Sequence, residues 1–477
     1  MSKAILRTTI RTLALVAVVA LAASPAFAQA NFGKYVALGD SLSAGFASSG
    51  LHVNVQERSY PALIARQAGV GDFQQPLAGA PGIPPLLAIA GFQGASPIIV
   101  PRSSTPGTPL NLTLPRPYDN LAVPGFDAAD VVSTRTGNGI IDLVLRGLGT
   151  QLELAAVQQP TFATVWIGNN DVLGAATSGI VIDGVTLTRT ADFSAAFQQT
   201  VGTLAAVGAQ MAIANIPDVT AIPFVNTLPP VVVNPATGDP VVGPNGQFIP
   251  LIGPNGLLGP NDKVLLSASA ELAVGLGVPA QLGGTGLPLS DSSVLSAAEV
   301  ATIQARTAEI NNVIAATAAN VGAAFVDVNA FFDDVAVNGY AAGGNIVYTT
   351  DFLTGGIFSY DGVHPSPMGY AVLANLFIDA INARFGDNIP QVNLIPFIFG
   401  PDGTAGGTIQ APGLIEGPPI FAGSSTAALN GALGLPSTEE LMRIKDERDG
   451  PQDDGPGLRL AIPTAPKAPT LRISIGG

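Results

Sequence analysis

The 477-residue sequence has no cysteine, which excludes disulfides, thiol nucleophiles, thiolate metal sites and a lipidated cysteine anchor. Histidine is almost as scarce. With His52 and His364 alone, neither a HExxH zinc site nor a three-histidine catalytic zinc can be assembled, and no loop has the regular acidic spacing of a calcium site. Charged residues are only 11% of the chain, and the 20 Lys and Arg are outnumbered by 34 Asp and Glu. That imbalance argues against nucleic acid as a partner, because a polyphosphate needs a basic face. Apolar residues are plentiful at 47%, and 56 Gly and 40 Pro accompany them. A folded core interrupted by many turns and long loops is expected from that mixture.

Residues 1–28 have the pattern of a secretory signal peptide. Lys3, Arg7 and Arg11 precede an apolar run from Leu13 to Ala23, and Ala26-Phe27-Ala28 offers small residues for cleavage. The run is much shorter than the ~20 residues of a spanning helix, so the mature chain is expected to have no transmembrane segment and to be periplasmic or extracellular. Loss of three basic residues and no acid takes the formal charge from -14 to -17, which favours solubility.

Beyond the leader, Lys34 to Leu38 is a short β-rich run ending at Gly39-Asp40-Ser41. Similar runs occur at 162–167, 210–216 and 324–328, each preceded by helical patterning. Their continuous hydrophobicity predicts a parallel sheet covered on both faces, in an α/β fold of three layers, an α/β/α sandwich. Helices are expected over 59–68, 140–157, 191–208, 263–276 and 367–384, and a capping box at Ser296 and Glu299 opens another running to about Asn320. Between about 226 and 262, Gly-Pro-Asn recurs at Gly243, Gly253 and Gly259, which suits either a small hairpin-like insertion or a disordered loop. It is a candidate lid or substrate wall. Residues 396–477 form a Gly-, Pro- and Ala-rich extension, expected to be partly disordered, in which a charged helix from Ser437 is expected to be a solvated element.

Acyl transfer from an ester needs a nucleophile, a base, a group that orients the base, and donors for a tetrahedral oxyanion. Ser41 follows the first strand, where a side chain at the carboxyl end of a parallel strand faces the usual ligand crevice. His364 lies three residues after Asp361, so a single turn can carry acid and base together, with Asp361 fixing the tautomer. His52 has no acid at a comparable spacing and is expected to be a surface or rim residue. No Gly-x-Ser-x-Gly elbow surrounds any serine, which disfavours an ordinary α/β-hydrolase.

Four blocks occur in order: Gly39-Asp40-Ser41-Leu42, Asn120-Leu121-Ala122-Val123-Pro124-Gly125, Gly168-Asn169-Asn170-Asp171 and Asp361-Gly362-Val363-His364-Pro365. Over Tyr35 to Ala383 the chain thereby resembles the SGNH/GDSL hydrolases, with each block expected at a strand end. Ser43 after Leu42 and Tyr360 before Asp361 depart from the usual pattern. The resemblance implies a mostly parallel, flavodoxin-like sheet in a hydrolase domain spanning 29–395. It further implies Ser41 as nucleophile, Asp361 and His364 as its partners, and an oxyanion hole of the Ser41 amide, Gly125 and Asn170. Asp171 is expected to be structural, and Asp40 to order its loop. Such chemistry requires no cofactor.

A small-molecule or lipid ester is the expected substrate, and the apolar segments 76–101 and 226–290 are expected to line the cleft, which favours a lipase or carboxylesterase. A carbohydrate O-acetylesterase is the enzymatic alternative. A non-catalytic secreted binding or surface module is the alternative of another class.

Overall fold

A computed structural model of the chain describes residues 29–94, 96–343, 346–399 and 418–449. The expected leader lies outside them, as does part of the extension. Strands β1 (Tyr35–Gly39), β2 (Leu87–Gln93), β3 (Ser96–Pro101), β4 (Phe162–Trp166), β5 (Gln210–Ala214), β6 (Ala324–Val326) and β7 (Ile420–Phe421) form two sheets. The central sheet has the order β1-β4-β5-β6 and is parallel throughout. Residues 119–123 extend it beyond β1: Ala37 donates to the Asp119 carbonyl (2.8 Å), and Leu121 and Val123 donate to the carbonyls of Ala37 (2.9 Å) and Gly39 (3.1 Å). In chain order the sheet then reads 2-1-3-4-5, the flavodoxin-like arrangement. Its topological switch point lies at the carboxyl ends of β1 and β4.

Helices α1 (Tyr60–Gln67), α2 (Ala128–Ser133), α3 (Gln151–Ala156), α4 (Asn170–Ser178), α5 (Thr190–Ala206), α6 (Ala297–Val321), α7 (Pro367–Phe385), α8 (Gly423–Ala432) and α9 (Thr438–Asp449) surround the sheets. Alternate residues of the central strands point to opposite faces. Val36, Leu38, Ala163, Val165 and Ile213 pack with Val131, Leu152, Phe197 and Ile310 from α2, α3, α5 and α6. Tyr35, Phe162, Trp166 and Ala212 pack with Leu63 of α1 and Phe377 and Ile381 of α7. Helices therefore cover both faces of a parallel sheet, the three-layer α/β/α sandwich that continuous strand hydrophobicity demands.

Local signals place most of these boundaries. Ser296 and Glu299 close a reciprocal capping box on α6, and Gly322 ends that helix in the left-handed region. The helix expected over 140–157 is broken in two, Gly139–Leu145 and α3, because Arg146 and Gly147 adopt positive φ. The helix expected over 263–276 is shortened. Lys263–Val264 pairs instead with Val294–Leu295, and helical structure is confined to a 3₁₀ turn at Leu266–Ala268 that runs into Ser269–Ala273, a case of tertiary pairing overriding propensity.

The 226–262 region is built on antiparallel bridges, Val231 to Pro250, Val233 to Pro240 and Val242 to Phe248, over a small core that includes Val232, Leu251 and Leu289. Residues 418–449 are packed on the rest of the fold rather than wholly solvated. β7 joins β3 in parallel, Leu441 of α9 is buried against Ile180 and Ile182, Lys445 pairs with Asp291 (2.7 Å), and Arg448 donates to the Asp183 carbonyl (2.6 Å). A helix charged on most faces still buries its apolar side chains, Leu441 fully and Met442 and Ile444 in part. No helix among the described residues is long and apolar enough to cross a membrane.

Phe377 is fully buried, stacked on Tyr60 at 4.3 Å between ring centroids and inclined to Trp166 at 5.9 Å. Phe377→Ala should lower the unfolding free energy by about 3–5 kcal/mol in urea titration. A loss below about 1 kcal/mol would show that this layer is not close-packed.

Candidate active site

Ser41 begins a single helical turn, Ser41–Ala44, at the end of β1. The turn is sharp because Gly39 has no side chain: a Cβ there would lie 2.3 Å from Ser43 Oγ and 2.4 Å from the Trp166 carbonyl oxygen. Gln151 of α3 holds the same glycine from the other side. Its Oε1 accepts from the Gly39 amide (3.0 Å), and its Nε2 donates to the carbonyls of Gly39 and Leu121 (both 2.9 Å). The N-cap is Asp40, whose Oδ1 accepts from the Leu42 amide (2.9 Å) while Oδ2 accepts from Asn169 Nδ2 (2.8 Å). Asp40 thus orders the loop as expected and also ties it to the Gly168–Asp171 block.

Asp361 and His364 occupy a tight turn ahead of α7 rather than the end of a sheet strand, which corrects the expected placement of the last block. Within it the Gly362 amide donates to the Ser359 carbonyl (3.0 Å) and the Ser359 amide to the His364 carbonyl (2.8 Å). His364 Nδ1 lies 2.9 Å from Asp361 Oδ2, and His364 Nε2 lies 2.9 Å from Ser41 Oγ. Since a carboxylate cannot donate, Nδ1 carries the hydrogen and Nε2 is left to accept from the serine hydroxyl. Ser41 is 3% exposed, and Asp361 and His364 are completely buried.

Burial alone would raise the Asp361 pKa. The charge of His364 and hydrogen bonds from the His364 ring and the amides of His364 and Val363 outweigh it and bring the carboxyl below its usual range. The carboxylate accepts from the His364 amide (2.9 Å), the Val363 amide (3.0 Å), Ser359 Oγ (3.1 Å) and the Ser49 amide (2.7 Å). Ser48 and Ser49 hold positive φ of 51° and 60°, unusual for residues other than glycine, and this bend presents the Ser49 amide to Asp361. The edge of the Phe46 ring packs on His364 at 4.8 Å, and Tyr370 Oη donates to the Phe46 carbonyl (2.6 Å). Nothing in the sequence pattern marked Gln151, Ser49, Ser359 or Tyr370, and Asn169 stood in its block without an assigned role. Each lies far along the chain from what it supports or lacks a motif of its own.

Gly125 lies at the turn after the 119–123 segment with φ 88°, and neither its amide nor that of Ser41 has a hydrogen-bond partner among the described residues. Asn170 opens α4, and one hydrogen of its Nδ2 goes to the Phe126 carbonyl (2.8 Å), while the second has no partner among the described residues. Asp171 Oδ2 accepts from the Ala128 amide at the start of α2 (3.0 Å), consistent with a structural role. Burial first, and then the charge of Asp127, push its carboxyl well above the usual range. His52 stands apart from this group. It is 9% exposed rather than a surface residue, and its Nδ1 caps Val53–Gln56 by accepting from the Asn54 amide (3.2 Å).

An apolar crevice of about 40 Å³ abuts the residues next to this group. It is bordered by Leu42, by Val363 and Pro365 on either side of His364, and by Trp166, Ile222 and Phe358 among others. Segments 76–101 and 226–290 contribute nothing to it. Parts of both line a separate cavity of about 700 Å³ between the insertion and β7, with Leu228, Val232, Ser96 and Ile420 in its walls. The cause is tertiary: the 231–250 ladder folds onto its own small core. No group of three His, Asp or Glu among the described residues could hold a metal ion.

The fold and the hydrogen-bonded Ser, His and Asp define a hydrolase of the serine esterase and lipase class. The chain belongs to the GDSL-like Lipase/Acylhydrolase family, which matches residues 35–377. A search of curated proteins found no match. Solved structures similar to it include an extracellular lipase from Streptomyces rimosus, with 18% identity over 73% of this chain and 98% of that chain and a TM-score of 0.32. Another is a catalytic mutant of Axe2, an acetylxylan esterase from Geobacillus stearothermophilus, with 12% identity over 73% of this chain and 93% of that one and a TM-score of 0.34. These likenesses are too distant to say anything of substrate.

Burial, chiefly, raises the Asp40 pKa to about 6 against the Asn169 and Leu42 hydrogen bonds. A carboxyl raised in the folded state favours folding when protonated, and that advantage fades as pH climbs from the unfolded value near 4 to about 6. The stability of the native chain relative to Asp40→Asn should therefore fall by about 2 kcal/mol between pH 4 and pH 6.5 in urea titrations. Parallel pH profiles for the two proteins would show that Asp40 ionises as freely in the fold as outside it.

Proposed function

We propose that the chain hydrolyses carboxylic esters of short acyl chains through a Ser41–His364–Asp361 triad and an acyl-enzyme. The single observation that carries this reading is the continuous 2.9 Å pair of contacts from Asp361 Oδ2 through the His364 ring to Ser41 Oγ. His364 Nε2 takes the hydroxyl proton as Ser41 Oγ adds to the ester carbonyl carbon, and Asp361 stabilises the imidazolium. The carbonyl oxygen, now negative, is received by the free amides of Ser41 and Gly125 and the free Nδ2 hydrogen of Asn170. Collapse of the tetrahedral species expels the alcohol, which receives the proton held on His364. Water then attacks the acyl-serine with the same histidine as base, and Ser41 is regenerated. Ser41→Ala and His364→Ala should each reduce kcat by about 10⁵ to 10⁶. A fluorophosphonate probe should label the native chain but not Ser41→Ala. Labelling that survives the serine substitution would remove Ser41 from this role, and a native chain that takes no label would revive the reading of a binding module.

The small apolar crevice beside Leu42, Val363 and Pro365, about 40 Å³, supports a short acyl chain over a long one. The same smallness favours an acetyl group, which keeps a carbohydrate O-acetylesterase as the second reading. On nitrophenyl esters, kcat/KM should peak at acetate to butyrate and fall at least tenfold by octanoate. Acetylated xylan as the better substrate would select the second reading, and a peak at octanoate or beyond would contradict both.

A further inference from the structure

The family match ends at residue 377, yet residues 429–435 press on the two loops proposed to hold the oxyanion. Gly125 faces the strap so closely that a Cβ on it would lie 2.9 Å from the Ala432 carbonyl oxygen and 3.1 Å from the Leu433 carbonyl carbon. Gly174, one turn into the helix that Asn170 opens, would place a Cβ 2.9 Å from Leu435 Cδ2. Leu429, Ala432 and Leu433 are buried in the same core as Val123, Phe126, Val172 and Leu173. The strap is itself tied down on both sides. Ser425 Oγ donates to the Ile99 carbonyl (2.9 Å) and the Phe421 amide to Ser269 Oγ (2.7 Å) before it, and Leu441 is buried after it.

We infer that residues 432–435 are a positioning clamp for ester hydrolysis, the backbone of Ala432 and Leu433 resting on the Gly125 loop and the Leu435 side chain on the Asn170 helix, at the spacing the oxyanion requires. This rests on the triad and oxyanion-hole reading above. Oxyanion donors are effective only when held at hydrogen-bonding distance from where charge develops, and a loop residue at positive φ has little of its own to hold it there. On one side the loop is fixed by Asn170 Nδ2 at the Phe126 carbonyl and by Asp171 at the Ala128 amide. The opposite wall is the strap, so an element outside the family's matched region completes the rigidity of the site.

The test uses the full chain with Leu435→Ala, whose partly buried side chain packs on the core without filling its centre. At a temperature well below unfolding, kcat should fall about tenfold with KM within twofold, because the loss is confined to the transition state. Leu435→Met should restore at least half of kcat. Ile378→Val, which loosens the opposite core layer, should leave kcat unchanged. In an Asn170→Ala background, Leu435→Ala should cost less than threefold, since its target is already gone. A full tenfold loss persisting there, a rise in KM at constant kcat, or a change below twofold in Leu435→Ala would overturn the clamp while leaving the esterase reading intact. Absence of ester hydrolysis by the native chain would overturn that reading and the clamp with it.

Discussion

A carboxylate with no exposed surface is among the most unfavourable groups to place inside a protein, with an effective penalty of several kcal/mol unless donors surround it. Asp361 is such a group, and the shape of the site can be read as the set of backbone bends that bring donors to it. The turn from Ser359 to His364 wraps two amides, a hydroxyl and an imidazole around it. The fifth donor comes from Ser49, 312 residues away in the chain, at the expense of two serines in the left-handed region. That contact, with the Ser48 amide donating to Ser359 Oγ (2.8 Å) and the Tyr360 amide to Ser48 Oγ (3.2 Å), joins the segment after β1 to the turn before α7. The same closure brings His364 within reach of Ser41.

Support for the serine side is built differently. There the backbone itself is gripped: Gln151 brackets Gly39 and Leu121, and Asp40 links the Leu42 amide to Asn169. Both arrangements place neutral or charged side chains against main-chain atoms at the end of β1, next to the switch point where a parallel sheet leaves a crevice. Rigid strands position the groups, and short polar side chains lock the loops that carry them.

The additions to the sandwich have unequal relations to this centre. The 231–250 ladder encloses its own small core and a cavity remote from the crevice. Residues 418–449, by contrast, run from the β2–β3 arm, across the Gly125 turn, to the 180–183 and 291 region. Composition treats the two segments alike, as turn-rich excess. Packing separates them, because the second buries leucines in the main core.

Much of the fold was readable from local chemistry: the four parallel strands from unbroken apolar runs, the long helix from its capping box, and the four blocks that carry Ser41, Gly125, Asn170, Asp361 and His364. These signals are short-range, so a single stretch of chain contains them whole. Failures occurred where a distant partner decided. Lys263 and Val264 were drawn from helix into pairing with Val294 and Leu295, His52 became a buried cap, and the lining of the crevice came from residues scattered between 42 and 365. The sequence by itself determined which groups could perform acyl transfer and in what order they occur. Only the tertiary structure decided which other residues hold them, because a buried charge or a bent backbone is compensated by whatever donor the fold delivers in space, regardless of separation along the chain.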